Sequence, residues 1–311
     1  MEVFLNSAIT LAEQVAILFV LIAVGFALTK ANLLEKKSTM GLANLILYIT
    51  TPTIVIKSFL TTEFNKQTII KLGIAIGCAV VSHIIGILLS FMLREKDKNT
   101  EVVWRFGTIF SNAGYMAIPL TQAVLGEEGV FFASGYVIVF NVIQWTYGIS
   151  IYNKETTSKL KVLVNPGTIA VAIGLPLFFL GVNFDVLPNV ISTPINHIAN
   201  LNAPLAMFVA GYYVAISPLS KGLSNLRLWF SIFLRNFAVP LIALVLFKYV
   251  FGLEGILLSS CVLSASAPVA FNTIVLASKF DRDADSSLRL VAFSTLFSII
   301  SMPIVLAIVA L

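Results

Sequence analysis

Two short stretches of this 311-residue chain carry the residue types that could hold a solute. The first runs Ser111, Asn112, Ala113, Gly114, Tyr115, Met116, Ala117, Ile118, Pro119. The second runs Ser264, Ala265, Ser266, Ala267, Pro268, Val269, Ala270, Phe271, Asn272, and is followed by Thr273. Each interrupts a long apolar run near its middle. Proline lacks a backbone donor and clashes with the preceding turn, while glycine and asparagine tolerate non-helical dihedrals, so a helix passing through either stretch should break there. Unpaired backbone at mid-membrane depth survives only against protein or a watery cavity. A helix that restarts beyond a break presents free N–H groups and partial positive charge, which favours an anion such as a carboxylate. The Asn112 and Asn272 amides would add hydrogen bonds. Either break alone could be a simple proline kink, but two at corresponding places point to a site. Its candidate contacts are Asn112, Gly114, Pro119, Ser266, Pro268, Asn272 and Thr273.

Other chemistry is sparse. His83 is the one ionisable residue expected near the centre of an apolar run, either as a hydrogen-bonded packing residue or as a proton carrier. Glu13, Lys57, Lys71, Arg235 and Lys248 fall near the expected ends of such runs, within reach of the interface. The lack of a central carboxylate weighs against a cationic substrate. Cys78 and Cys261 have no metal or redox spacing and read as small buried apolar side chains. The H-E-x-x-H, Walker A and G-x-S-x-G patterns are absent from the sequence, so neither an enzyme nor ATP-driven transport by this chain is expected. No metal site or cofactor is expected. Coupling to Na⁺, held by carbonyl, hydroxyl and amide oxygens, or to H⁺ stays open.

The elements that must position these residues are membrane helices. The chain is 58% hydrophobic and 11% charged, against roughly 25% charged in an ordinary soluble domain. Such a chain cannot cover a water-facing surface, and its apolar runs are too long for barrel strands. A spanning helix needs about 20 mainly apolar residues. That rule predicts an all-α membrane protein with spans near 7–29, 39–60, 68–93, 105–125, 130–152, 164–181, 196–216, 228–251, 256–278 and 287–311. The first run follows Glu2 rather than a basic segment and is kept as a span, not a cleaved signal.

Of the 20 Lys and Arg residues, this layout puts 16 at one end of the spans and four, Lys57, Lys66, Lys71 and Lys248, at the other. The basic excess therefore reports topology and not nucleic acid. By the positive-inside rule both termini lie outside the cytoplasm. The chain divides into a first five-helix repeat (1–152), a cytoplasmic connecting loop (153–163) and a second repeat (164–311). An odd number of spans per repeat forces the second into the membrane upside down, with spans four and nine, the broken pair, in corresponding places.

Four segments resemble the auxin efflux carrier family: S-N-A-G-Y-M-A-I-P-L at 111–120, N-L-I-L-Y-I-T-T-P ending at Pro52, N-P-G at 165–167, and A-P-V-A-F-N-T-I-V-L-A-S-K-F at 267–280. The resemblance covers the whole chain, and its short central loop looks like the bacterial malonate and malate type members. It implies an inverted repeat akin to bile acid sodium symporters, with spans four and nine crossing at the substrate. It also implies a scaffold of spans one, two, six and seven, commonly dimeric, beside a moving core of spans three to five and eight to ten. Asn112 and Pro119 match the family's span-four motif and Pro268 the first proline of its span-nine motif. Thr273 stands where plant members have a second proline. Tyr48, Thr51 and Pro52, and Asn202 with Pro204, would face the site from the scaffold. The expected function is alternating-access transport of a small organic anion across the plasma membrane. A carrier of a neutral or cationic solute, a channel and a non-transporting sensor are the alternatives.

Overall fold

The computed structural model describes residues 2–152 and 166–310; the expected connecting loop 153–163 lies outside them. Apart from one isolated bridge, every regular element among the described residues is helical. The helices are α1 (Glu2–Lys30), α2 (Lys36–Thr61), α3 (Lys66–Ser90), α4 (Lys98–Ile109), α5 (Ala113–Tyr152), α6 (Pro166–Phe179), α7 (Asn189–Ile216), α8 (Leu226–Val250), α9 (Gly255–Ser266), α10 (Asn272–Lys279) and α11 (Ala284–Ala310). Six of them, α2, α3, α5, α7, α8 and α11, are long and apolar enough to cross a membrane.

Local sequence explains where they start and turn. Asn65, Asp97 and Asn225 each accept a hydrogen bond from a backbone N–H of the helix that follows, closing the starts of α3, α4 and α8. The 40 residues of α5 would stretch about 60 Å at 1.5 Å per residue, twice the hydrocarbon thickness. Gly126, with φ 67° and ψ −161°, divides them. That conformation is essentially open to glycine alone, and it falls between the two spans expected at 105–125 and 130–152.

Three helices widen into a five-residue π turn just before a proline: Ile46–Thr50 before Pro52, Ala113–Ala117 before Pro119, and Leu234–Ala238 before Pro240. The missing N–H and the ring's clash with the preceding turn favour this wider path. Proline thus acts here by re-aiming side chains within continuous helices.

Large apolar side chains, among them Val20, Ile70, Leu88, Tyr249 and Ile300, point outward around the molecule. A bilayer is the solvent that suits them. Helices α1 and α7 approach so closely that a Cβ on Gly211 would lie 2.3 Å from the Ile22 carbonyl oxygen, and one on Gly25 would lie 2.6 Å from Phe208 Cα. Small residues permit that approach where helices meet in a membrane.

Polar contacts gather at two opposite ends. At one, Arg282 donates to Asn99 Oδ1 (2.8 Å) and the Tyr152 carbonyl (2.6 Å), Thr100 donates to Asp283 (2.8 Å), and Arg227 pairs with Glu95 (3.2 Å). Burial pushes the Asp283 carboxyl up, but hydrogen bonds from Ser286 and Thr100 and the nearby Arg289 outweigh it and hold it below its ordinary value. At the other end Lys57 pairs with Glu127 at 2.6 Å, its ammonium over the Phe184 ring.

Candidate functional site

The two broken stretches meet. Ser111 and Val269 form a short antiparallel bridge, in which the Asn112 N–H donates to the Pro268 carbonyl (2.7 Å) and the Ala270 N–H donates to the Phe110 carbonyl (3.0 Å). The Val269 N–H donates to Ser294 Oγ at 3.0 Å. Buried backbone released by the breaks is thus largely satisfied by the partner break and by α11, as buried amides require. Helix α4 stops at Ile109 and α5 restarts at Ala113; α9 stops at Ser266 and α10 restarts at Asn272.

A cavity of about 940 Å³ opens beside this crossing. Asn112, Gly114 and Tyr115 line it from the start of α5, Ala270, Phe271 and Asn272 from the start of α10. Tyr48, Thr51 and Pro52 of α2 face them, as do residues from Pro166 to Ile173 on α6. Both restarting helix ends therefore border one space, between the crossing and the α2/α6 pair. The wall is chiefly apolar, with a few polar groups, the usual makeup of a small-molecule site.

Asn112 is 2% exposed, and its Nδ2 has no protein hydrogen-bond partner. A buried amide left that way is destabilising unless water or a ligand accepts from it. Asn272 Nδ2 donates to Gln144 Oε1 at 3.0 Å, so Gln144 orients it. Lys279 reaches the same wall near the Phe280 ring. Spacing alone does not single out Tyr115, Gln144 or Lys279: Tyr115 is one residue of the first broken stretch, Lys279 counts with the basic residues at the span ends, and Gln144 sits within an expected span.

The other candidates lie off the wall. Pro119 is buried inside α5 after its π turn, seven residues beyond the break at Asn112. Ser266 donates to the Leu263 carbonyl (2.9 Å), and Pro268 serves through its carbonyl. Thr273 lies past the break in α10, with its carbonyl accepting from Tyr152 Oη at 3.4 Å. Asn202 is fully buried and accepts from Thr50 (2.7 Å) and Thr51 (3.1 Å), joining α7 to α2; Pro204 is half-buried two residues on. His83 sits with its Nδ1 2.7 Å from the Ala79 carbonyl, among the rings of Phe110, Tyr136 and Phe140. Cys78 and Cys261 are free and buried. Among the described residues no three His, Cys, Asp or Glu side chains gather as metal ligands.

One expectation is corrected. Arg235 does not reach an interface: it is fully buried, and its guanidinium donates to the Thr108 and Ile109 carbonyls (3.2 Å each) and to the Ala265 carbonyl. It stands only nine residues into α8, close enough to the end to pass as interfacial in a linear count. The π turn Leu234–Ala238 instead aims it at the crossing. Without it, the split of basic residues expected from the sequence becomes 15 to four.

The cavity is one-sided. On α2 its lining ends at Ile56, on α6 at Ile173 and on α5 at Val137. Just beyond, Phe59, Phe178 and Phe131 from those helices close together, with ring centroids 5.0 to 6.1 Å apart, and the Lys57–Glu127 pair lies at the same end. Toward the opposite, basic end the wall continues to Pro166 and Lys279.

Comparison with known proteins identifies the family. An uncharacterized transporter of Methanothermobacter thermautotrophicus is 24% identical over 94% of this chain and 96% of its own length. One from Methanocaldococcus jannaschii is 23% identical over 93% and 95%. Auxin efflux carrier component 1 of Arabidopsis thaliana is 26% identical over 47% of this chain and 23% of its own. The profile of the membrane transport protein family matches residues 10–161 and 155–306, and the chain belongs to that family, which includes the auxin efflux carriers, as a multi-pass membrane transporter and not an enzyme.

Proposed function

We propose that this protein is a secondary carrier of a small organic anion, a mono- or dicarboxylate of malonate or malate size, moved by alternating access at the crossing. One observation carries the reading: Asn112, whose buried amide nitrogen has no protein partner, lines a single cavity together with two restarting helix ends. Such ends carry about half a positive charge each and favour anions within the adjacent turn. Asn112 donates to one carboxylate oxygen, Asn272, held by Gln144, hydrogen-bonds the bound solute from the other side, and Lys279 attracts it at the mouth.

In this reading the chain makes ten spans in two inverted repeats, spans four and nine being the broken pairs α4 with α5 up to Gly126, and α9 with α10. Helices α1, α2, α6 and α7 form a scaffold, dimeric in the plasma membrane, against which the rest moves as an elevator. The sealed Phe59, Phe131, Phe178 end faces outward and the open, basic end faces the cytoplasm, so the conformation is inward-open.

A competition assay tests the anion claim, pairing each carboxylic acid that raises the melting temperature with its amide. The acid should compete and the amide should not. Equal competition by both would instead favour a neutral-solute carrier, and absence of saturable counterflow in liposomes a channel or sensor.

A further inference from the structure

Arg235 is a fully buried guanidinium with no carboxylate beside it among the described residues. Its partners are the Thr108 and Ile109 carbonyls in the last turn of α4 and the Ala265 carbonyl in the last turn of α9. These are the C-terminal ends of both broken helices. The last four carbonyls of a helix have no N–H partner within it and concentrate partial negative charge. Half-helix C-termini of this kind are where secondary carriers hold a coupling cation.

The surroundings keep the guanidinium there. Thr108 and Ser231 hydroxyls lie 3.1 Å apart, and Ser231 Oγ also donates to the Trp104 carbonyl at 3.4 Å, fastening α8 to α4 one turn before Arg235. The adjacent Asn236 donates to the Ser294 carbonyl (2.9 Å) and Ser301 Oγ (3.3 Å), and accepts from Ser294 Oγ (2.7 Å), the hydroxyl that also receives the Val269 N–H of the crossing. Guanidinium stays protonated in proteins, so the charge is permanent.

We propose that Arg235 is the resident cation of the crossing: it occupies the carbonyl cage a carrier would otherwise fill with Na⁺. It also neutralises the negative ends of α4 and α9, leaving the positive ends of α5 and α10 unopposed toward the cavity. It touches no substrate and is a positioning and charge-setting residue. The substrate part of this inference rests on the anion-carrier reading; the cage part does not.

The test uses purified full-length protein, malonate with malonamide as probes, and NaCl exchanged for choline chloride. Wild type should show the same melting temperature and the same malonate affinity in either salt. Arg235→Met should lose malonate affinity by about ten- to a hundredfold, the size of a coupling between two linked sites, while Arg235→Lys keeps most of it. Arg235→Ala should regain melting temperature with millimolar guanidinium and not with urea at the same concentration. Na⁺-dependent malonate binding by wild type, or equal affinity in Arg235→Met and Arg235→Lys, would overturn the proposal. Should wild type bind neither malonate nor malonamide while guanidinium still restores Arg235→Ala, the anion reading fails and the resident cation stands. Failure of guanidinium to restore Arg235→Ala overturns the cage even where malonate binds.

Discussion

Asn112 joins backbone and side-chain roles that a single substitution can separate. Its N–H ties the crossing to Pro268 and its carbonyl accepts from Met116 and Ala117, whereas its Nδ2 has no protein partner. Asn112→Ala keeps the first two and removes the third, so the fold should persist. A lost hydrogen bond to a charged ligand costs about 1.5–3 kcal/mol, or roughly one to two decades of affinity. Malonate titration beside a melting curve checks this: unchanged affinity in a well-folded variant makes Asn112 a packing residue. At this scale Asn112 and Asn272 were legible because an amide beside glycine or proline in an apolar run is conspicuous in any reading of the chain. Gln144 was not, because its importance comes from a contact with Asn272, 128 positions away. Arg235 was misplaced because a linear count measures distance from the end of a helix and cannot see which way a π turn points.

Between elements, the decisive contact is the seal of α2 against α5 and α6. Phe59 is fully buried with ring contacts to Phe131 and Phe178, while the Lys57–Glu127 pair at the same end keeps side-chain exposures of 14% and 25%. A partly exposed pair contributes about 0.2–1 kcal/mol, enough to shift a two-state population by at most about fivefold. Removing a buried phenyl ring costs about 3–5 kcal/mol, and if that ring is packed only in the sealed state most of the loss falls on that state. Phe59→Ala should therefore expose the cavity from the Lys57 side far more than Lys57→Ala does. With a cysteine at Ile56, an impermeant thiol reagent applied from that side should label the Phe59→Ala background fastest. No acceleration in a folded Phe59→Ala protein would show that the aromatic cluster is not the barrier. Helix existence and the break positions followed from apolar length, Pro and Gly. The seal did not, since Phe59, Phe131 and Phe178 sit in runs where every neighbour is equally apolar.

For the whole molecule, sidedness is the claim that fixes the meaning of an open cavity. The structure gathers the loops around 94–101, 227 and 279–283 at one end and those around 57–71 and 122–128 at the other, through contacts such as Arg282 to Asn99 and Lys57 to Glu127. The basic split expected from the sequence follows the same two ends, and moving Arg235 into the core leaves it at 15 against four. Insertion keeps Lys and Arg near span ends in the cytoplasm, so the basic end, toward which the cavity opens, should be cytoplasmic. Single cysteines at Lys96 and at Val186, both exposed, sample the two ends. Cys78 and Cys261 are buried and can be replaced by alanine to clear the background. On intact cells an impermeant maleimide should label Val186→Cys directly and Lys96→Cys only after permeabilisation. The reverse pattern would turn the cavity outward and make the aromatic seal the cytoplasmic gate. Labelling of both from outside would break the alternation of spans on which the inverted repeat depends, and with it the argument that α4–α5 and α9–α10 are equivalent halves of one site.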